Sequence, residues 1–162
     1  MTSTIKGDSN FDSDSTVLQI VDLTNAVNST LSAINQAADD TIPQITEGGL
    51  LVSGSFTPKS ATSTLYLDFE GNCDSSGNTE MVVSLFKTGT ADALNCCTHY
   101  SSIVMDNLSC KGSVASVGTT AITLSARVMT MANVSLYLNG DSVGRKFGGK
   151  LAQRLRIIEV SG

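Results

Sequence analysis

The chain has 162 residues, of which 41% are hydrophobic and only 15% charged, with 14 glycines, no tryptophan and a net charge of −5. That length holds one ordinary domain with an appendage, and two full domains would be crowded. No run approaches the roughly 20 apolar residues that a membrane-spanning helix needs. The charge is unevenly spread: residues 1–110 carry 13 acidic and 3 basic side chains, whereas residues 111–162 carry 2 acidic and 7 basic ones. Such polarity favours acidic-on-basic contacts with a partner or between copies. An acidic chain whose basic residues lack an aromatic platform argues against nucleic acid as that partner.

In chain order, the N-terminus has no apolar stretch of the kind a secretory signal carries, so synthesis in the cytosol as a soluble protein is expected. Cys73, Cys96, Cys97 and Cys110 are then expected as free thiols, with a disulfide formed after release from the cell as the alternative. Residues 1–15, with Asp8, Asp12 and Asp14, read as a flexible acidic arm that orders only against a partner. Val17, Ile20, Thr24, Val27, Leu31, Ile34 and Ala38 follow a 3-4 alternation that continues for about three heptads. With Asp14-Ser15-Thr16 offering an N-cap, this spacing predicts a helix over 16–42. Branched residues at both seam positions suit a three-stranded coiled-coil stalk, and a single amphipathic helix lying on the rest of the chain is the alternative. Pro43 ends the helix, and Gly48-Gly49 makes 43–49 a linker.

From Leu50 the pattern changes to a period of two. Strands are expected at 50–56, 63–70, 81–87, 103–109, 119–129, 133–138 and 155–160, separated by turn signals at Gly71-Asn72, Ser76-Gly77-Asn78, Lys111-Gly112 and Asn139-Gly140-Asp141. The predicted fold is therefore mostly β, an antiparallel jelly-roll β-sandwich over 50–162 preceded by the short N-terminal coiled-coil helix.

Chemistry is sparse. Cys96-Cys97-Thr98-His99 puts thiols near the only histidine, but no third group orients them, so no catalytic residue is assigned and His99 reads as a loop or interface residue. The acidic stretch from Asp68 to Asp74 reads as a solvated turn, because it lacks the pattern of a calcium loop. Val143-Gly144-Arg145-Lys146-Phe147-Gly148-Gly149-Lys150 lacks the ending of a phosphate-binding loop and reads as a mobile basic loop facing an acidic neighbour. No enzyme activity, cofactor or metal is expected.

Residues 50–56, Gly118-Thr119-Thr120-Ala121-Ile122-Thr123-Leu124-Ser125-Ala126-Arg127, Val134-Ser135-Leu136-Tyr137-Leu138-Asn139-Gly140 and the closing 155–160 together resemble the trimeric C1q/TNF-like jelly roll of short phage head-fibre and capsid decoration (cement) proteins. The resemblance covers about residues 50–162 and is one of strand phrasing. It implies a homotrimer on the capsid exterior, bound to the major capsid protein of a virus shell, with no membrane partner. Contact candidates are Asp8, Asp12 and Asp14 of the arm and Arg145, Lys146 and Lys150 of the basic loop. A receptor- or glycan-binding tip of a phage tail fibre is the alternative. Sugar sites need aromatic faces beside polar groups, and Tyr66, Tyr100, Tyr137 and five phenylalanines are the whole supply.

Overall fold

The computed structural model describes residues 15–32, 34, 39–102, 105–116 and 118–162. Among these lie twelve strands, one 3-10 turn and no α-helix. The strands are β1 Val17–Asn25, β2 Ser29–Leu31, β3 Gly49–Phe56, β4 Thr64–Ser75, β5 Thr79–Lys87 and β6 Asn95–Ser101, followed by β7 Asp106–Ala115, β8 Ile122–Thr130, β9 Leu136–Leu138, β10 Gly140–Asp141, β11 Gly144–Arg145 and β12 Gln153–Val160.

The coiled-coil helix is not formed. Residues 17–25 are a strand whose Asp22 and Leu23 sit opposite Arg156 and Leu155 of β12. Val21 and Leu23 turn inward against the core, while the heptad positions Val17, Ile20 and Val27 are 54%, 58% and 65% exposed. The segment is rich in Val, Ile and Leu, which suit a pleated surface, and its period-two set finds a sheet to close whereas its heptad set finds nothing. Leu31 and Ile34 do pack on the core, but from β2 and the segment after it. Ala38 lies outside the described residues, as do Asp8, Asp12 and Asp14.

Two antiparallel sheets face each other. In the first, β4 pairs with β7 on one side and, on the other, with β12 along Thr64–Glu70 and then with β9 along Cys73–Ser75. β1 lies outside β12 and β2 outside β9. This sheet is thus four positions wide, two of them filled by two short strands in succession. The second sheet runs β3-β8-β5-β6. The chain crosses from sheet to sheet between β2 and β3, β3 and β4, β4 and β5, β6 and β7, β7 and β8, and β8 and β9, which is the winding of a jelly roll. Leu51, Phe56, Leu65, Phe69, Met81, Leu85, Leu124, Val128, Leu155 and Ile157 fill the space between the sheets.

Three further expectations are corrected. Gly71-Asn72 and Lys111-Gly112 are not turns but lie inside β4 and β7. A side chain at Gly71 would collide with the Gln153 amide, so this glycine serves close packing instead of chain reversal. Residues 43–49 are no free joint: Ala93 N donates to Pro43 O (2.9 Å), Ile45 N donates to Ala91 O (2.8 Å), and Arg127 Nη1 donates to Gly48 O (3.0 Å). The Ser76-Gly77-Asn78 turn stands as read, whereas of Asn139-Gly140-Asp141 only Asn139, at φ 58°, turns the chain, and Gly140–Asp141 is strand β10.

One end of the sandwich is closed by a buried carboxylate. Glu159, fully buried, accepts hydrogen bonds from Lys59 N, Ser60 N, Ser63 Oγ and Gln19 Nε2 at 2.6–3.0 Å. Burial pushes its pKa up, but the Lys59 amide, the Ser63 hydroxyl, the Gln19 amide and the Ser60 amide together outweigh burial and hold it below the ordinary 4.5.

Candidate functional site

The outer face of the second sheet is where the molecule departs from simple alternation. On β5 the odd residues Met81, Val83 and Leu85 face the core, yet the even residues Val82, Ser84 and Phe86 are buried as well. The strap 43–48 runs along this side of the sheet. It is tied to 91–93 and Arg127 by the bonds above, and a Cβ on Gly48 would touch Met129, the β8 residue paired with Val82. Farther along β5 the face is open. There Glu80 pairs directly with Tyr100 and Val82 with Thr98 of β6, placing the Glu80 carboxylate, the Tyr100 ring and the Thr98 hydroxyl on one surface.

These three residues and His99 line a shallow groove of about 300 Å³. The Tyr100 ring is 61% exposed. All the lining residues stand on β5 and β6, so the three outward side chains are spaced by the pleat and not by loop conformation. A flat apolar ring beside a carboxylate and a hydroxyl is a surface that can cover the C–H face of a ring-shaped polar ligand while accepting from and donating to its hydroxyl groups.

The opposite face of β6 turns toward β7, the edge strand of the first sheet. His99 Nε2 donates to Ser109 O (2.7 Å), and Asn95 Nδ2 donates to Lys111 O. Ser101 Oγ lies 2.7 Å from Ser75 Oγ. Backbone groups that an edge strand would leave unpaired are thereby satisfied by side chains, and the seam between the sheets is closed on this side. Cys97 shares this inward face, while Cys96 points to the exposed side. The thiol and imidazole suggested by Cys96-Cys97-Thr98-His99 therefore face separate partners on β7.

The remaining sequence candidates are scattered. The acidic stretch from Asp68 to Asp74 is strand, not turn; Asp68 pairs with Lys111 at 3.2 Å and Glu70 with Arg154 at 2.7 Å. Among the described residues no group of three or more His, Cys, Asp or Glu side chains could hold a metal ion. The basic run is built as the β10–β11 hairpin and a 3-10 turn at Phe147–Gly149. Lys146 is held by Asp141 at 2.8 Å, and its hydrogen bond keeps the Asp141 carboxyl below its ordinary value. Arg145 and Lys150 stay exposed, beside the exposed Val143 and Phe147.

Sequence reasoning missed Glu80 altogether and weighed Tyr100 only as part of a scarce supply. The available signal was the even-numbered alternation through Cys96, Thr98 and Tyr100, hidden because both faces of β6 are polar.

No family model and no curated protein matches this chain. Among solved structures it is similar to the CBM36-1 domain of a multidomain xylanase from the hindgut metagenome of Trinervitermes trinervoides, at 13% identity over 86% of this chain and 96% of that one, with a TM-score of 0.40. The C-terminal domain of EclA, described as a sugar-binding protein, aligns at 16% identity over 85% and 79% of the two chains, with a TM-score of 0.34. A CBM4 structure aligns at 7% identity over 75% and 66%, with a TM-score of 0.33. These scores are too low to establish a common fold, and the jelly-roll description rests on the strand order above.

Proposed function

We propose that this protein is a binding module that takes a carbohydrate in the groove of the second sheet, the role expected of a receptor- or glycan-binding tip. The observation that carries the reading is the register of β5 and β6, which sets Tyr100 directly opposite Glu80 with Thr98 on the same surface. The groove, at about 300 Å³, has room for one sugar ring and is open enough for a chain to continue past it. In this reading Tyr100 stacks on the sugar, Glu80 accepts from paired ring hydroxyls, and Thr98 supplies an adjustable donor and acceptor.

Titration calorimetry against a panel of neutral and acidic oligosaccharides tests it. Binding is expected to be weak and enthalpy-driven, to drop at least about tenfold in Tyr100→Ala, a loss of about 1.4 kcal/mol, and to drop less in Thr98→Ala. No heat with any sugar, or binding untouched by Tyr100→Ala, overturns the reading.

A second reading, a homotrimeric capsid decoration protein of a virion, is favoured by a different observation. On the outer face of the first sheet Ile20, Ile158 and Tyr66 are paired in one row, with Ile20 58% and Tyr66 50% exposed. An apolar row of that kind suits burial between copies. Light scattering decides it: a trimer that Ile20→Lys converts to monomer supports the assembly, and a monomer at all concentrations removes it.

A further inference from the structure

The seam between β6 and β7 places two of the four thiols together. Asn95, Cys97 and His99 alternate along the inward face of β6. The first and third of them bond to the carbonyls of Lys111 and Ser109, the residues on either side of Cys110. Cys97 is thus bracketed directly across from Cys110, and both pack on the core between the sheets. Burial, and then the neighbouring Cys97 thiol, push the Cys110 thiol up.

We infer that Cys97 and Cys110 form a latent disulfide site that staples the two sheets along their shared edge under oxidising conditions. Cys96 is excluded by the pleat, since successive residues of a strand face opposite ways, and Cys73 is excluded because its buried thiol faces the Met81 sulfur at 3.9 Å. The oxidant is a small disulfide such as oxidised glutathione. The half-buried Cys97 thiolate attacks one of its sulfurs and releases one glutathione thiolate. Cys110 then loses its proton and attacks the Cys97 sulfur, forming the protein disulfide and releasing the second glutathione. Two protein thiols are oxidised, one glutathione disulfide is reduced, and the two thiol protons end, through solvent, on the two glutathione thiols released. Because Cys110 resists deprotonation, the second step is slow at neutral pH and accelerates as pH rises.

The test is to incubate the full chain with a glutathione redox buffer, count free thiols after unfolding, and map linked peptides by mass spectrometry. The expected result is a fall from the four thiols of the sequence to two, a single crosslink between Cys97 and Cys110, and a melting temperature raised by roughly 6–12 °C, as suits closure of a short loop in a domain of this size. Cys96→Ala is expected to crosslink as the parent does. Cys97→Ser, whose site is only half buried, is expected to fold and to form no internal disulfide. Retention of all four thiols, a crosslink through Cys96 or Cys73, or a disulfide found only between chains overturns the inference.

Discussion

The outer faces of the two sheets are built from the same alternating grammar and end in opposite states. On the first sheet, Asp22, Arg156, Asp68 and Lys111 form one row across four strands. Arg156 grips Asp22 with two hydrogen bonds of 2.8 Å, and Arg154 holds Glu70 at 2.7 Å. That face satisfies its own charges while staying in water. On the second sheet, Phe86, Val82 and Met129 occupy the corresponding outward positions and are buried, with Ser84 buried among them, which makes β5 mostly apolar on both sides and leaves its exposed polar chemistry at the Glu80 end. A sandwich can thus present one finished face and one partly covered face, and the uncovered remainder of the latter is where a ligand has room.

The sharpest way to break this comparison is to truncate one aromatic on each outer face. Phe86→Ala is expected to cost about 3–5 kcal/mol, since a fully buried ring leaves a cavity. Tyr66→Ala, on a half-exposed ring of the first sheet, is expected to stay within about 1 kcal/mol. Urea unfolding with unchanged slope measures both. Equal effects would mean that the outer face of β5 is not a second core.

Glu159→Gln probes the closed end of the sandwich. It puts an amide where two backbone N–H groups and a hydroxyl converge on a carboxylate, at an expected cost of about 1–2 kcal/mol. The sign of the pH dependence follows from the lowered pKa: the carboxylate's contribution is complete above the ordinary 4.5 and is lost as pH falls from there through the lower folded value. Parent and variant should converge in acid, and a gap that persists below that window would assign the loss to packing.

Much of the sandwich is legible in the chain, and the failures have a common cause. β3, β8 and β12 each bury one face against the facing sheet, so alternation alone exposes them. β1 escapes because Val17, Ile20, Val21, Leu23, Thr24 and Val27 satisfy a heptad and a pleat together, and only the backbone of β12 decides between them. β6 escapes because Asn95, Cys97 and His99 turn inward to bond an edge, which makes an inward face look polar. The candidate groove is less legible still. Glu80 and Tyr100 are distant in sequence and meet only through the β5–β6 register, which no local pattern carries.

The smallest expected effect lies on the finished face. The Arg156 hydrogen bond, opposed by burial and reinforced by the charges of Arg156 and Arg154, holds the Asp22 carboxyl below its ordinary 3.8. Asp22→Asn is therefore expected to destabilise the fold less than Phe86→Ala or Glu159→Gln, because an exposed pair in water gains little net energy. The loss should be present above pH 3.8 and vanish as pH falls below it through the lower folded value. It should also shrink toward nothing in 1 M salt, where charges are screened beyond about 3 Å, whereas the Phe86→Ala loss, being one of packing, should not. A salt-insensitive Asp22→Asn would mean that the two hydrogen bonds to Arg156 act by fixing the β1–β12 edge in place, and the first face would then be structural in the same sense as the second.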